Sequence, residues 1–486
     1  MGAAHVDQGP DEEGEDRVSQ LTGIRDAAGD IDAGDRETMD ELVWTLDHAR
    51  GHNLKVQRYY DQEYTVPDEL FRMQIKSDLI RNTWVSGWST KAVDALASRV
   101  RMDGFTGEPE GGEPALDEVL ARNAIAEGYN ETLASKLIQG CAFAAVNLGE
   151  DGHAHVRFHS ALDAAAIPSG DYRPGAVAAG MCVARCERTA WSGHRRVPTQ
   201  VNFYLPGRVI VAERTGASQW TAEAMGTPEP EPMFVALTHL GNRNQPMGRT
   251  RITHYVRQIC DEAARTMFHM QVLGNFYMMP RLAIMGLTDA QFETITSNKM
   301  RTYIDSMIVT TRDNESNSVP TFQQQNGASP QPFIDVIQLL AKQFSLETSV
   351  PLNSLGVVTD NPSSAEAIEA ACEDICDVAE RDIASDTAAL TRVIRLALAV
   401  EYDVATNDLG PDQLAIVPHF KPANMASLAA RADAAAKYAS IRQGFGDTDV
   451  CAEMLGFDQG ERQRITAQVR RAQGSDFLRQ AVIGGE

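Results

Sequence analysis

Apolar residues recur at intervals of three and four after Gly248, which is the spacing of one face of an amphipathic helix. They are Ile252, Val256, Ile259, Ala263, Met267 and Met270. Asn275 and Pro280 end this pattern, because proline cannot continue a helix. The sequence therefore predicts a long helix that ends before Pro280.

A small mixed module is predicted next, followed by a second amphipathic helix. The module has strand-like runs at Arg281 to Met285, Met307 to Thr311 and Val319 to Gln323, with a short helix over Thr288 to Tyr303. Pro332 suits the first turn of the second helix, which breaks at Pro351. The apolar side of this helix carries Phe333, Val336, Ile337, Leu340 and Phe344, and its polar side carries Asp335, Gln338, Lys342 and Ser345.

An irregular loop, Val350 to Asn361, separates the second helix from a third. Ser363 and Glu366 form a capping box, and the helix that they start is predicted to reach Val400. The rest of the chain predicts an α+β body: helices from Glu37 to about residue 139, short strands over 141–240, a strand at Gln413 to Phe420 and helices from residue 425.

Composition narrows the class of protein. The chain has 486 residues, 43% of them hydrophobic, and a net charge of −23, so we expect several domains and no general coating of nucleic acid or anionic membrane. Residues 1–36 are acidic and poor in large apolar side chains, which predicts a disordered tail. No apolar run approaches the roughly 18 residues of a membrane span, and an odd number of cysteines without a signal peptide predicts reduced thiols.

Catalytic motifs are missing from the sequence. Neither a P-loop nor a G-x-S-x-G elbow occurs. His153, His155 and His159 are better explained as hairpin surface residues than as zinc ligands, because no further ligand lies at standard spacing. Nine carboxylates lie between Asp360 and Asp386, but they fall all round the helix, so a solvated or channel-facing acidic helix is favoured over a two-metal site. We expect no enzyme activity, no metal and no cofactor.

The order helix, module, helix, loop, long helix resembles the portal proteins of tailed double-stranded DNA phages. Two strings carry the resemblance, PMGRTRI before the first helix and SVPLNSLGVVTDNPSSAEAIEAACEDICDVAERD around the loop. Earlier in the chain YY, RNTW and AVDALASRVRMDGF are similar to portal proteins of actinobacterial phages. The resemblance extends over about residues 37–475.

This resemblance implies a portal-like α+β architecture with named parts. They are an N-terminal tail (1–36), a wing body (37–250), a first stem helix (251–277), a clip (278–331), a second stem helix (332–347), a tunnel loop (348–363), a long wing helix with a return strand (364–424) and a helical crown (425–486).

The resemblance also implies a function and partners. The protein would form a dodecameric ring at the capsid vertex, through which a terminase packages the genome and from which it is later ejected. Expected partners are the terminase large subunit, a head-completion or adaptor protein, the major capsid and scaffolding proteins, and double-stranded DNA without sequence specificity. The protein would be found in the virion and, during assembly, in the host cytoplasm, with no membrane partner.

Candidate site residues follow from these roles. Asp335, Gln338, Lys342, Ser345, Leu355, Val357, Val358 and Thr359 are candidates for the channel lining. Thr288, Asp289, Lys299, Arg301, Arg312 and Asp313 are candidates for docking of terminase or adaptor on the clip.

Two of these assignments have alternatives. A strongly basic channel would bind DNA and stall transport, whereas a few cationic rings can hold it, and Lys342 is a candidate for such a ring. Lys342 could equally pair with a carboxylate of a neighbouring subunit. The apolar residues of the loop could enter the channel or pack into the body.

Two other classes of protein compete with the portal hypothesis. Another virion head or tail protein would explain the α+β body but not the order of elements after Gly248. A metal-dependent nuclease would use the acidic cluster.

Overall fold

The computed structural model describes two compact units and confirms an α+β protein. The described residues are 21–64, 86–107, 113–171, 173–188, 196–277, 281–287, 307–311, 321–325, 329–356, 365–424, 428–442, 444–457, 460–462, 464–466, 468–469 and 471. The first unit comprises Met1–Tyr60, Ala92–Thr253 and Ser363–Glu486, and the second comprises Asp61–Lys91 and His254–Pro362. Residues 61–91 thus group with the second unit, whereas the sequence analysis assigned them to the wing body.

The first unit contains most of the elements. Its helices are α1 (Ala33–Tyr60), α2 (Trp88–Ala97, which begins in the second unit), α3 (Pro114–Asn123), α4 (Ile125–Gln139), α7 (Ala365–Tyr402), α8 (Pro411–Leu414), α9 (Leu428–Ile441) and α10 (Asp449–Leu455). Its strands are β1 (Met102–Thr106), β2 (Cys141–Leu148), β3 (Ala154–Ser160), β4 (Ala164–Pro168), β5 (Val177–Arg188), β6 (Arg196–Leu205), β7 (Arg208–Arg214), β8 (Trp220–Gly226), β9 (Phe234–Thr238) and β13 (Val417–Phe420).

The larger sheet of this unit is an antiparallel meander in the order β4-β5-β6-β7-β8. Its strands alternate as a half-buried sheet should: Trp220 and Ala222 are buried, while Thr221 and Glu223 are exposed. The buried face packs against the apolar stripe of α1, which contributes Met39, Leu42 and Leu46. The buried residues of the alternating strands and the apolar stripe of α1 therefore form one hydrophobic core.

The N-terminal segment corrects the expectation of a disordered tail over residues 1–36. Leu21, Ile24 and Ala27 belong to the same core, and a 3-10 helix spans Ile24–Asp26. The Trp220 indole N–H donates a hydrogen bond to the Thr22 carbonyl over 3.2 Å, and Ala28 bridges to Thr221. Composition does not predict this order, because a few apolar residues are enough to anchor a segment that is otherwise acidic. Residues 1–20 lie outside the described residues.

A three-stranded sheet in the order β3-β2-β9 lies at the centre of the first unit. Residues 141–146 of β2 are all buried, as expected for a strand covered on both faces. Helices α4 and α7 pack against this sheet. The predicted return strand is confirmed over Val417–Phe420, where β13 pairs antiparallel with β1 and places Pro418 opposite Phe105, but Gln413 and Leu414 belong to helix α8 instead.

The segment that leads out of the first unit is fixed against the end of α4. Gly140 ends α4 with φ +97°, and a Cβ there would lie 2.8 Å from the Arg249 carbonyl carbon, so only glycine fits. The Arg249 N–H donates to the His239 carbonyl, and the Arg251 N–H donates to the Leu137 carbonyl. These bonds set the position of the chain just before the helix that begins at His254.

The second unit contains two long helices and a small sheet. The helices are α5 (His254–Tyr277) and α6 (Gln331–Thr348), and they pack on each other. The strands are β10 (Arg281–Leu287), β11 (Met307–Thr311) and β12 (Thr321–Gln325), in the order β11-β10-β12, with β10 parallel to β11 and antiparallel to β12. The strand predictions for the module are confirmed within two residues.

None of the described helices is long and apolar enough to cross a bilayer. All seven cysteines are free thiols, as the sequence predicted.

Candidate functional site

Helix α6 buries one face, in agreement with its sequence pattern. Leu340, Ala341 and Phe344 are buried, and the Phe344 ring lies 5.6 Å from the ring of Trp88. Pro332 lies in the first turn, where its missing N–H costs no helical hydrogen bond. The helix ends at Ser349, whose φ of +55° is left-handed.

The opposite face of α6 is less polar than the sequence analysis expected. Asp335, Gln338 and Lys342 are exposed and Ser345 is half-buried, but Leu339 is 55% exposed and Leu346 is 87% exposed. At 100° per residue, Asp335, Leu339, Lys342 and Leu346 fall within a sector of about 60°. Val336, assigned from the sequence to the packed apolar side, is also exposed at 41%. The outer face of α6 is therefore an apolar surface that carries two charges.

The tunnel-loop residues are described only in part. Val350 is buried, a 3-10 helix covers Leu352–Leu355, and Gly356 has a left-handed φ of +78°. Leu355 is half-buried. Val357, Val358 and Thr359 lie outside the described residues, so the channel-lining role of the loop stays a prediction.

The candidate docking residues of the clip have no described position. Thr288, Asp289, Lys299, Arg301, Arg312 and Asp313 all lie outside the described residues. The backbone of β10, β11 and β12 forms the module in which the sequence placed them. Their docking role also stays a prediction.

A buried charge cluster in the first unit joins α4, α7 and the end of β9. The Lys136 ammonium lies 2.5 Å from Asp386 Oδ2 and 3.6 Å from Asp382 Oδ2. Asp382 Oδ2 also lies 2.7 Å from His239 Nδ1, and the Tyr129 hydroxyl donates to Asp386. The side chains of Lys136, Asp382 and Asp386 are each at most 1% exposed.

Burial and pairing act in opposite directions on the pKa values of this cluster. Burial lowers the pKa of Lys136, but Asp386 and Asp382 outweigh it, so the net shift is upward. Burial raises the pKa of Asp382, but Lys136 and His239 outweigh it, so the net shift is downward. For Asp386 burial dominates and raises the pKa. The pKa values of the two carboxyls therefore shift in opposite directions, although Lys136 lies beside both of them.

This cluster corrects the expectation of a uniformly solvated acidic helix. Glu373, Asp374, Asp377 and Glu380 are exposed, as expected. Asp382 and Asp386 are buried on the same stripe of α7 as Ile375, Ala379 and Val393. The helical period contained this signal, because Asp382 and Asp386 continue the apolar spacing from Ile375 and Ala379. The cluster is enclosed and joins α4, α7 and the end of β9, although Oδ1 of Asp386 is buried without a hydrogen-bond partner.

The three histidines of the hairpin do not form a metal site. His153 Nδ1 lies 2.9 Å from Glu401, whereas His155 pairs with Asp151 over 3.0 Å. Burial, and then Arg157, lower the pKa of His159 to about 4. In the described part of the chain, no group of three or more potential ligands could hold a metal ion.

A second ionic chain connects the C-terminal helices to the β1–β13 pair. His419 Nδ1 lies 2.6 Å from Asp103, and His419 Nε2 lies 3.6 Å from Glu453 on α10. Arg462 donates a hydrogen bond to Glu453 from a side chain that is 8% exposed. The hydrogen bond to Asp103 raises the pKa of His419.

Comparison with known proteins gives sequence relatives with a stated role. No protein-family model matches the chain. The portal protein of Mycobacterium phage D29 is 28% identical over 221 residues, and that of Mycobacterium phage L5 is 27% identical over 221 residues. Each match covers 45% of this chain and 44% of the relative, so the chain matches less than half the length of these portal proteins.

Among solved structures, a chain from the neck of a native GTA particle, computed with C12 symmetry, is similar with a TM-score of 0.42 and 15% identity. The similarity covers 78% of this chain and 93% of that chain. The resemblance read from the sequence is confirmed by the sequence relatives: over 221 residues, this chain is similar to the portal proteins of mycobacteriophages.

Proposed function

We propose that this protein is a portal subunit, and that copies of it form a closed ring at the capsid vertex through which double-stranded DNA enters and leaves. The observation that carries the proposal is the sequence similarity to two mycobacteriophage portal proteins. The role is structural rather than catalytic. The ring would be a dodecamer, as the family resemblance implies.

The outer face of α6 supports assembly into a ring. Leu339 and Leu346 are exposed in the single chain, and covering a leucine fully stabilises an assembly by about 1.5–3 kcal/mol. A second copy that presents a different surface would cover them in a heterologous contact, whereas two outer faces packed on each other would close a two-fold dimer. Such heterologous contacts generate a ring when the rotation closes.

Charge supports passage of DNA without capture. The protein carries a net charge of −23, and DNA carries about one negative charge per 1.7 Å of its axis. A neutral or acidic channel repels DNA weakly from all sides and leaves it free to slide. Gln338 and Ser345 on α6, together with Val357, Val358 and Thr359 in the loop, are the uncharged channel-lining candidates of this proposal.

The remaining partners follow from the same role. The clip, over residues 278–331, would dock the terminase large subunit and afterwards a head-completion or adaptor protein. Major capsid and scaffolding proteins would contact the wing and the crown. The protein would enter the virion after assembly in the host cytoplasm.

Electron microscopy and mass measurement of the purified protein test the proposal. We expect rings with a central hole, and a particle mass that is a whole multiple of 53.1 kDa. A monodisperse monomer at micromolar concentration, measured by light scattering, would contradict the proposal.

A further inference from the structure

The contacts of residues 86–89 indicate how far along the two stem helices the charged residues Glu262 and Lys342 lie. The Cys260 thiol of α5 accepts hydrogen bonds from the Ser86 side chain and the Ser89 backbone. Trp88, between them, packs against Phe344 of α6. Cys260 and Phe344 therefore lie at about the same level of the helix pair.

The two helices run in opposite directions, because the chain leaves α5 into the small sheet and returns from it into α6. Glu262 lies two residues after Cys260, and Lys342 lies two residues before Phe344. At 1.5 Å per residue, both are displaced by about 3 Å toward the sheet. Glu262 and Lys342 therefore lie at one level of the pair.

The two side chains also lie on outer faces of their helices. Helix α5 buries Val256, Ile259, Cys260 and Ala263 and exposes Tyr255, Gln258 and Glu262. Helix α6 exposes Leu339, Lys342 and Leu346 on the side opposite its buried face. Because both helices turn their buried faces toward residues 86–89, the two exposed stripes lie on the outside of the helix pair, one on each helix.

Both charges remain available for a partner. No carboxylate of the described residues lies within salt-bridge distance of Lys342, which is exposed and flanked by Leu339 and Leu346. Glu262 pairs with Arg265 over 3.0 Å, but both side chains are at least 40% exposed. Its second carboxylate oxygen can accept from another cation.

We infer that Lys342 of one copy pairs with Glu262 of the next copy, beside a contact made by Leu339 and Leu346. This inference rests on the proposed ring and assigns Lys342 to the interface between subunits instead of the channel lining. Opposite charges at one level, on the outer surfaces of two different helices, suit a contact that repeats from copy to copy in one direction. The two leucines exclude water from the pair and so strengthen it.

Charge reversal and exchange test the inference. Lys342→Glu alone and Glu262→Lys alone should each place like charges together and raise the protein concentration at which half of the chains are in rings by about tenfold or more. The double variant restores the pair in the opposite sense, so its assembly should return to within about threefold of the unaltered protein. Lys437→Glu, at an exposed position on α9, is the matched control and should assemble normally. Circular dichroism of each variant at the dissociated concentration verifies that the subunit is folded.

The outcomes separate this inference from the proposed function. If the unaltered protein forms no rings, the proposed function fails and this inference fails with it. If it forms rings and Lys342→Glu forms them equally well, the pairing is wrong and Lys342 returns to the channel lining. Loss of assembly in both single variants without recovery in the double variant would also overturn the pairing.

Discussion

The Lys136 ammonium lies 2.5 Å from the Asp386 carboxylate, although 250 residues separate the two in the chain. The contact joins α4 to α7 across the interior of the first unit, with Asp382 and His239 beside it. A buried ion pair is costly to form, because both groups lose water, but it is more costly to break by removing one partner. One prediction about stability depends on this asymmetry.

Replacing Lys136 by methionine should destabilise the first unit by about 3–5 kcal/mol, because Asp382 and Asp386 would be left without their cation. Urea unfolding followed by circular dichroism measures the change. Adding Asp386→Leu to Lys136→Met should recover part of the loss. The control Lys437→Met removes an exposed pair with Asp433 and should change stability by no more than about 0.5 kcal/mol. A Lys136→Met variant as stable as the original would show that the cluster contributes nothing.

The ionic contacts of His419 should make the free energy of unfolding depend on pH. The pKa of His419 is raised in the folded protein by the hydrogen bond to Asp103, so the protonated form is favoured by folding. The contribution of His419 to the free energy of unfolding is fully present below the pKa of the histidine in the unfolded chain, about 6.5. It is lost as the pH rises through the pKa of His419 in the folded protein. The urea midpoint of His419→Gln should therefore fall furthest below that of the unaltered protein in mild acid, and the difference should shrink in alkali. Asp103→Asn should show the same pH dependence, and a difference that grows with pH would contradict the assignment.

The tunnel loop should affect DNA rather than assembly. Val357→Glu and Val358→Glu should leave rings intact and reduce the amount or retention of packaged DNA, because new carboxylates would repel the DNA backbone in the channel. Electron microscopy of rings and nuclease-protected DNA per particle measure the two effects. Leu148→Glu, at an exposed apolar position of the β2–β3 hairpin, is a control that should change neither. Aggregated or unfolded variants would instead favour burial of the loop in the body, and normal packaging by both would remove the loop from the mechanism.

Deleting the clip core, about Gly286 to Thr311, should remove docking of the terminase while the first unit stays folded. The deletion lies within the module between α5 and α6, and the first unit has its own core. Circular dichroism and a binding assay with the terminase large subunit measure the two outcomes. A deleted protein that still supports packaging in vitro would show that docking takes place elsewhere.

The local elements could be predicted from sequence because they depend on near neighbours. Helix α6 was expected over residues 332–347 and spans Gln331–Thr348, since its apolar spacing and Pro332 are local signals. Strand β11 spans Met307–Thr311, as its β-branched run predicted.

Features that depend on distant partners were missed. Asp382 and Asp386 were counted among solvated carboxylates, because the sequence does not show that Lys136 faces them. The sequence does not show that the segment with Leu21 and Ile24 is folded, because its position depends on Trp220, about two hundred residues away. The exposure of Leu339 was missed because the contact with α5 and residues 86–89, rather than polarity, decides which face of α6 is outermost.

Helix α7 has a mechanical consequence for the proposed portal. Its 38 residues form a rod of about 57 Å, and Asp382 lies about 26 Å from its first residue. The first turn follows the tunnel loop directly in the chain, while Asp382 and Asp386 fix the middle of the rod to Lys136. A load on the loop would therefore act at the first turn of a rod that is held by the buried residues Ile375 and Ala379 and, further along, by the charge cluster. In the proposed portal, weakening the charge cluster would change how force on the loop reaches the first unit, although no residue of the cluster is a candidate for the channel lining.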